Sequence, residues 1–220
     1  MQPSSDRVGR YFERTAEQFD ALYDEGRGLH YWFNRLARKA LFERVRMTVE
    51  EMRELRDFTV LDVGSGSGRN SVLFVRAGAR HVTGIDIADK MIELAQDTVR
   101  RHSVAGQCDF LRCGLLDYRP AEKFDVAVAL GVFDYLSDAG ANLQKMAALA
   151  TGKIIASFPG VSLVRAPLRK LRYALKKCPV YFYTRRELEQ LCEKAGLRDY
   201  KLLPCAGAGY LLVARLGGKP

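Results

Sequence analysis

Hydrophobic positions divide this chain into two unequal parts. Up to Leu55 they recur at helical spacing. Phe12, Phe19, Leu22 and Tyr23 fall between charged residues and predict an amphipathic helix over 8–25, broken by Gly26 and Gly28. Trp32, Phe33, Leu36, Leu41, Val45, Val49 and Met52 predict a second helix over about 29–55. From Phe58 onward, short apolar bursts alternate with helical stretches. The bursts are 60–63, 81–85, 108–112, 124–130 and 153–158; the helical stretches are 70–77, 88–100, 134–150 and 184–195. Segments 198–203 and 209–216 close the pattern as two strands with no room for a helix between them, so they predict a hairpin.

Strands alternating with helices call for a parallel sheet covered on both faces. The expected fold is therefore α/β: a doubly wound, Rossmann-like sheet of seven strands, mostly parallel, with one antiparallel strand near the C-terminus. Residues 1–57 form a helical lid or packing segment, and 58–220 form the α/β domain. An insertion at 160–179 separates the fifth strand from the last helix. A length of 220 residues with 48% hydrophobic content suits one such domain with a sizeable core.

Composition narrows the class further. No apolar run approaches the roughly 18–20 residues that span a membrane, and the N-terminus lacks the apolar stretch of a signal peptide. The expectation is a cytoplasmic protein. Cys108, Cys113, Cys178, Cys192 and Cys205 are irregularly spaced and contain no C-x-x-C pair, which leaves zinc and redox chemistry without support. No metal is expected. The net charge of +9 gathers partly in Arg165, Arg169, Lys170, Arg172, Lys176 and Lys177. There Leu168, Leu171 and Leu175 repeat at helical spacing behind Pro167, which suits a first helical turn. This short basic amphipathic helix has three readings: a cap with solvated charges, a receptor for an acidic small molecule, or a contact for anionic lipid at a membrane surface.

The candidate chemistry starts at Val60-Leu61-Asp62-Val63-Gly64-Ser65-Gly66-Ser67-Gly68-Arg69-Asn70. A buried strand runs into three glycines at every second position, so the backbone can turn tightly and approach a ligand. A dinucleotide site expects G-x-G-x-x-G; here the third glycine comes one residue early. The loop opens a helix, whose N-terminus and backbone amides favour an anionic group. The second strand ends at Asp86, where an acid can accept from both ribose hydroxyls and would repel a 2′-phosphate. Asp86 could instead cap the next helix, but Asp89 is equally suited to that task.

These residues resemble the class I S-adenosylmethionine-dependent methyltransferases, over about 58–158. Residues 60–70 resemble the family's glycine-rich first motif. Val82-Thr83-Gly84-Ile85-Asp86-Ile87-Ala88-Asp89-Lys90-Met91 resembles the second, 110–117 stands in the place of the third, and 124–130 resembles the fourth strand, whose end faces the methyl group. The resemblance implies S-adenosylmethionine as cofactor. It implies that Gly64, Ser65, Gly66 and Gly68 pass beneath the methionine part, that Asp86 holds the ribose, and that Ile87 and Met91 pack on the adenine. Gly114 and Leu115 then line the adenine's other side, and Leu130 faces the methyl group. Many relatives carry an acid where this chain has Gly114, so adenine recognition falls to backbone groups or to Asp117. The segment 11–24 is similar to the leading segment of small-molecule methyltransferases such as those of quinone biosynthesis, which closes over the cofactor. That implies Tyr11 or Tyr23 near the methionine end.

The resemblance places the methyl acceptor beyond the fourth strand, near Leu130-Gly131-Val132-Phe133-Asp134-Tyr135. No Asn/Asp-Pro-Pro-Tyr/Phe run and no cysteine occur there, which disfavours methylation of nucleobases. Asp134 and Tyr135 are the candidate catalytic residues, against ordinary uses as a helix cap and a core aromatic. His30 and His102 are further candidate bases. The implied activity is methyl transfer to a small molecule at oxygen or carbon, similar to quinone- or magnesium-protoporphyrin-type enzymes. The alternatives are an RNA or protein methyltransferase and a non-catalytic S-adenosylmethionine-binding protein.

Overall fold

A computed structural model describes residues 7–14, 29–161, 178–206 and 208–217, with backbone alone over 29–40. Seven strands form one sheet: β1 (Phe58–Val63), β2 (Ala79–Asp86), β3 (Cys108–Arg112), β4 (Phe124–Ala129), β5 (Ala150–Phe158), β6 (Asp199–Cys205) and β7 (Gly209–Arg215). Their order is β3-β2-β1-β4-β5-β7-β6. All neighbours are parallel except β5–β7 and β6–β7, so β7 is the one antiparallel strand. Chain order reverses between β1 and β4, which makes their carboxyl ends the topological switch point.

Helices cover both faces. Besides the helix over 7–14 (α1), they are α2 (Leu29–Met52), α3 (Arg69–Arg76), α4 (Asp89–Arg101), α5 (Ala139–Leu149) and α6 (Arg185–Lys194). The central strands read as unbroken apolar runs because both of their faces are buried. Their side chains still alternate: Val60, Val126, Val128, Ile155, Leu211 and Val213 pack with Met52, Val72 and Phe74. Leu61, Ala127, Ala129, Ile154, Ala156, Leu212 and Ala214 pack with Leu143, Met146 and Leu188 of α5 and α6.

Several elements differ from their predicted bounds. The helix predicted over 134–150 starts at Ala139. Asp138 caps it, accepting from the Ala141 N–H at 2.8 Å, while the carbonyl of Asp134 is taken by the Tyr181 N–H at 2.8 Å. Asp138 and not Asp134 is the N-cap, so the capping use expected of Asp134 is corrected. Of the helix predicted over 8–25, residues 7–14 are helical and 15–28 lie outside the described residues. So do 162–177, which hold the predicted basic helix. No helix among the described residues is long and apolar enough to cross a membrane.

One acid is buried within the sheet. Asp62 in β1 is 1% exposed and accepts a 2.7 Å hydrogen bond from the Ser71 hydroxyl of α3. Burial pushes its carboxyl up from 3.8 to about 7; the Ser71 bond opposes this, and the charge of Asp86 adds to it. In the unfolded chain an aspartate loses its proton near pH 4. Between those pH values the folded state holds a proton that the unfolded state has released, so stability falls as pH rises. The contribution is fully present below about pH 4 and is lost as pH climbs through about 7. Urea unfolding across this range should show the wild-type stability declining and the Asp62→Asn variant, neutral throughout, declining less steeply. Parallel curves would mean that Asp62 is charged in the fold.

Candidate active site

The loop after β1 is built by three glycines that face three different demands. Gly64, Gly66 and Gly68 have φ of +64°, +52° and +75°, a region side chains disfavour. A Cβ on Gly64 would stand 2.5 Å from Cγ2 of Val132, in the loop after β4. A Cβ on Gly68 would stand 3.0 Å from the Ala95 backbone, where α3 and α4 cross. Above Gly66 nothing lies within 4 Å. The first glycine thus joins two loops, the third joins two helices, and the middle one leaves open space. The N–H groups of Gly64 and Ser65 both donate to the Ile85 carbonyl, at 2.8 and 3.1 Å, folding the loop onto the end of β2.

Asp86 stands beside that space. Its Oδ2 accepts from the Gly66 N–H and its Oδ1 from the Ala88 N–H, both at 3.0 Å. Burial raises its carboxyl, the bonds from Ala88, Gly66 and Ile87 oppose the rise, and the charge of Glu13 adds to it. Asp89 is not the cap expected of it: it is the first residue of α4, makes no cap bond, and pairs with Arg112 at 3.2 Å. The N–H groups of Asp89 and Lys90 instead donate to Glu13 of α1.

Around this centre the expected contacts divide. Ile87 is half-buried and within 3.9 Å of where a Cβ on Gly114 would stand, so the two face one another across the end of β2. Leu115 is buried and packs into the core on the α5 side. Met91 is buried and packs with Ala88 and Phe12. Tyr11 packs with Tyr135 and Ile87, while Tyr23 lies outside the described residues.

The loop after β4 is gripped from every side. Leu130 is half-buried, and Gly131, with φ +75° and open space where a side chain would be, donates its N–H to the Ser157 hydroxyl at 2.8 Å. Tyr183 donates its hydroxyl to the Phe133 carbonyl at 3.2 Å, and the Phe133 ring rests 4.3 Å from that of Phe158. Asp134 is 3% exposed. Tyr135 is buried edge-on against Phe12, centroids 5.3 Å apart. Of the two candidate histidines, His102 follows α4 at the far end of the sheet, since α4 runs antiparallel to the strands, and it contacts Arg76 there. The side chain of His30 lies outside the described residues.

The arrangement discriminates between ligands. The Gly66 amide, which a pyrophosphate would need, is occupied by a carboxylate, and a second acid, Asp62, lies buried beneath. Such surroundings suit hydroxyl donors and cationic centres better than a phosphate. The Ser65 hydroxyl is buried without a hydrogen-bond partner among the described residues, a polar atom that a ligand over the loop could satisfy. S-adenosylmethionine, with its ribose hydroxyls, sulfonium and ammonium, fits these residues. No metal-binding group of His, Cys, Asp and Glu occurs among the described residues. Sequence reasoning missed Glu13, Val132, Ser157, Tyr181 and Tyr183. Nothing in their local patterns marks them, because each acts across a long separation in the chain.

Comparison with known proteins agrees with this geometry. A family model described as a methyltransferase domain matches residues 23–202. O-methyltransferase rstn1 of Aspergillus nomiae is 27% identical over 152 residues, 67% of this chain and 68% of that protein. A ribosomal protein L11 methyltransferase of Burkholderia thailandensis is 40% identical over 96 residues, but these are 44% of this chain and 28% of that protein. The crystal structure of magnesium protoporphyrin IX methyltransferase from Synechocystis PCC 6803, with bound S-adenosylhomocysteine, shares the fold with a TM-score of 0.78. It is 22% identical, over 96% of this chain and 98% of that one. The chain therefore belongs to the methyltransferase domain family and is an S-adenosylmethionine-dependent methyltransferase.

Proposed function

We propose that the enzyme methylates a small molecule at oxygen or carbon, with the cofactor lying across the loop 64–68 and the acceptor beyond Gly131. The observation that carries this reading is the open space over Gly66, flanked by Asp86, with open space also over Gly131 in the loop after the neighbouring strand at the switch point. In this reading Asp86 receives the ribose hydroxyls, giving up its bond to Gly66 or sharing it. Ile87 and the Gly114–Leu115 backbone flank the adenine, Ser65 meets the methionine part, and Leu130 borders the methyl group. The names of the O-methyltransferase and magnesium protoporphyrin relatives support a small-molecule acceptor.

When bound, the cofactor supplies a methyl group on a sulfonium leaving group. What remains for the chain is placement and exclusion of water. The buried walls of Phe133, Tyr135 and Phe158 serve exclusion. Asp134, held through its own carbonyl by Tyr181, is the group on this loop able to take a proton from an acceptor hydroxyl. Similarity to ribosomal protein L11 methyltransferases favours a second reading, a protein acceptor.

Asp86→Ala should weaken S-adenosylhomocysteine binding at least tenfold, on the order of 1.4 kcal/mol by calorimetry; unchanged affinity removes Asp86 from the site. Asp134→Asn should keep that affinity within about twofold while turnover falls about a hundredfold. Turnover is read as S-adenosylhomocysteine released over a panel of small phenols and carboxylic acids, with purified ribosomal protein L11 as the protein arm. Methylation of the protein alone would overturn the small-molecule reading.

A further inference from the structure

The first turn of α4 is capped from outside its own segment. A helix begins with four backbone N–H groups that its own turns cannot satisfy. Here the N-cap residue is Ala88, whose side chain offers nothing. The Ala88 N–H goes to Oδ1 of Asp86 at 3.0 Å. The next two, of Asp89 and Lys90, go to Oε1 and Oε2 of Glu13, the latter at 3.4 Å. Two carboxylates thus share one helix N-terminus, one from two residues upstream and one from another helix. One is the candidate ribose acid; the other belongs to α1.

The residues beside Glu13 extend the contact. Phe12 packs on Ala88, Met91 and Leu94 and, edge-on, on Tyr135. Val8 and Tyr135 share a buried cluster against which Tyr11, Phe12 and Ile87 pack. A Cβ on Gly9 would stand 3.7 Å from the Ile87 side chain. Helix α1 therefore spans from the end of β2 to the loop after β4, bridging the two edges of the candidate cofactor site.

We propose that Glu13 is a positioning residue for the cofactor: by capping α4 from α1, it holds α1 across the ribose edge of the site and slows ligand release. The inference rests on the reading of Asp86 as the ribose acid. The two carboxylates compete for the positive end of α4 and repel each other, an effect visible in the upward push that Glu13 adds to Asp86. Ribose hydroxyls donating to Asp86 spread its charge and ease that repulsion, which tightens the Glu13 cap. By linkage, the tightened cap holds the ligand to the same degree. Ligand leaving past Ile87 then requires α1 to lift.

The test uses the full chain with S-adenosylhomocysteine as probe, comparing wild type, Glu13→Gln and Glu13→Ala. Stopped-flow displacement should show release about tenfold faster in Glu13→Ala, with association within about twofold, because a closing contact acts after encounter. Glu13→Gln, which keeps an acceptor but not the charge, should fall between the two. Hydrogen exchange of the 7–14 amides should slow on ligand addition in wild type and not in Glu13→Ala. If both variants release ligand at the wild-type rate while Asp86→Ala still loses affinity, the inference fails and the cofactor reading stands. A variant that merely melts earlier with an unchanged release rate likewise overturns it. A wild-type protein that does not bind S-adenosylhomocysteine overturns both.

Discussion

The meeting of two loops at the switch point constrains the rest of the molecule. β1 and β4 are parallel neighbours, but their following segments leave in opposite directions across the sheet. Both strands end level with one another, Val63 beside Ala129. The loops that follow must then share the same volume. Gly64 makes this feasible: with no side chain and a positive φ, it lets Val132 close to a distance that any Cβ would forbid. Open space remains over Gly66 and Gly131, in the same two loops.

Around that contact the chain concentrates buried polar groups that the core would otherwise reject. Asp62 is tied to Ser71, Asp86 to two backbone N–H groups, and Ser157 to Gly131. Each is satisfied by a partner from another element, so each also fixes the relative position of two elements. The loop 130–136 shows this most clearly. Ser157, Tyr181 and Tyr183 hold its backbone while Phe12 and Phe158 hold its rings. An acid such as Asp134 is thereby kept in one place without belonging to a helix or strand.

The fold is shared with methyltransferases of very low sequence identity, and a fold by itself carries no substrate. Two segments outside the sheet bear on its switch-point end: α1, whose Glu13 caps α4 beside the candidate ribose acid, and the stretch holding Tyr181 and Tyr183, which brace the loop after β4.

The order of elements, the parallel sheet and its single antiparallel strand were legible in the sequence. Apolar bursts and helical periodicity report burial directly, and both depend on residues near one another in the chain. The glycine loop and Asp86 were legible for the same reason: the strand, turn and helix that place them are contiguous. The start of α5 was misplaced: Asp138 rather than Asp134 is the N-cap, a choice between two nearby acids that local pattern does not make. Local pattern leaves the capping of α4 between Asp86 and Asp89; Asp86 takes the Ala88 N–H, and Glu13 rather than Asp89 takes the next two, because a side chain brought in from another helix leaves no local trace. Sequence by itself determined the scaffold and its glycine-rich turn, since those follow from short-range pattern. Tertiary structure decided which acid caps, which aromatic covers and which tyrosine braces, since those depend on contacts between segments that only folding brings together.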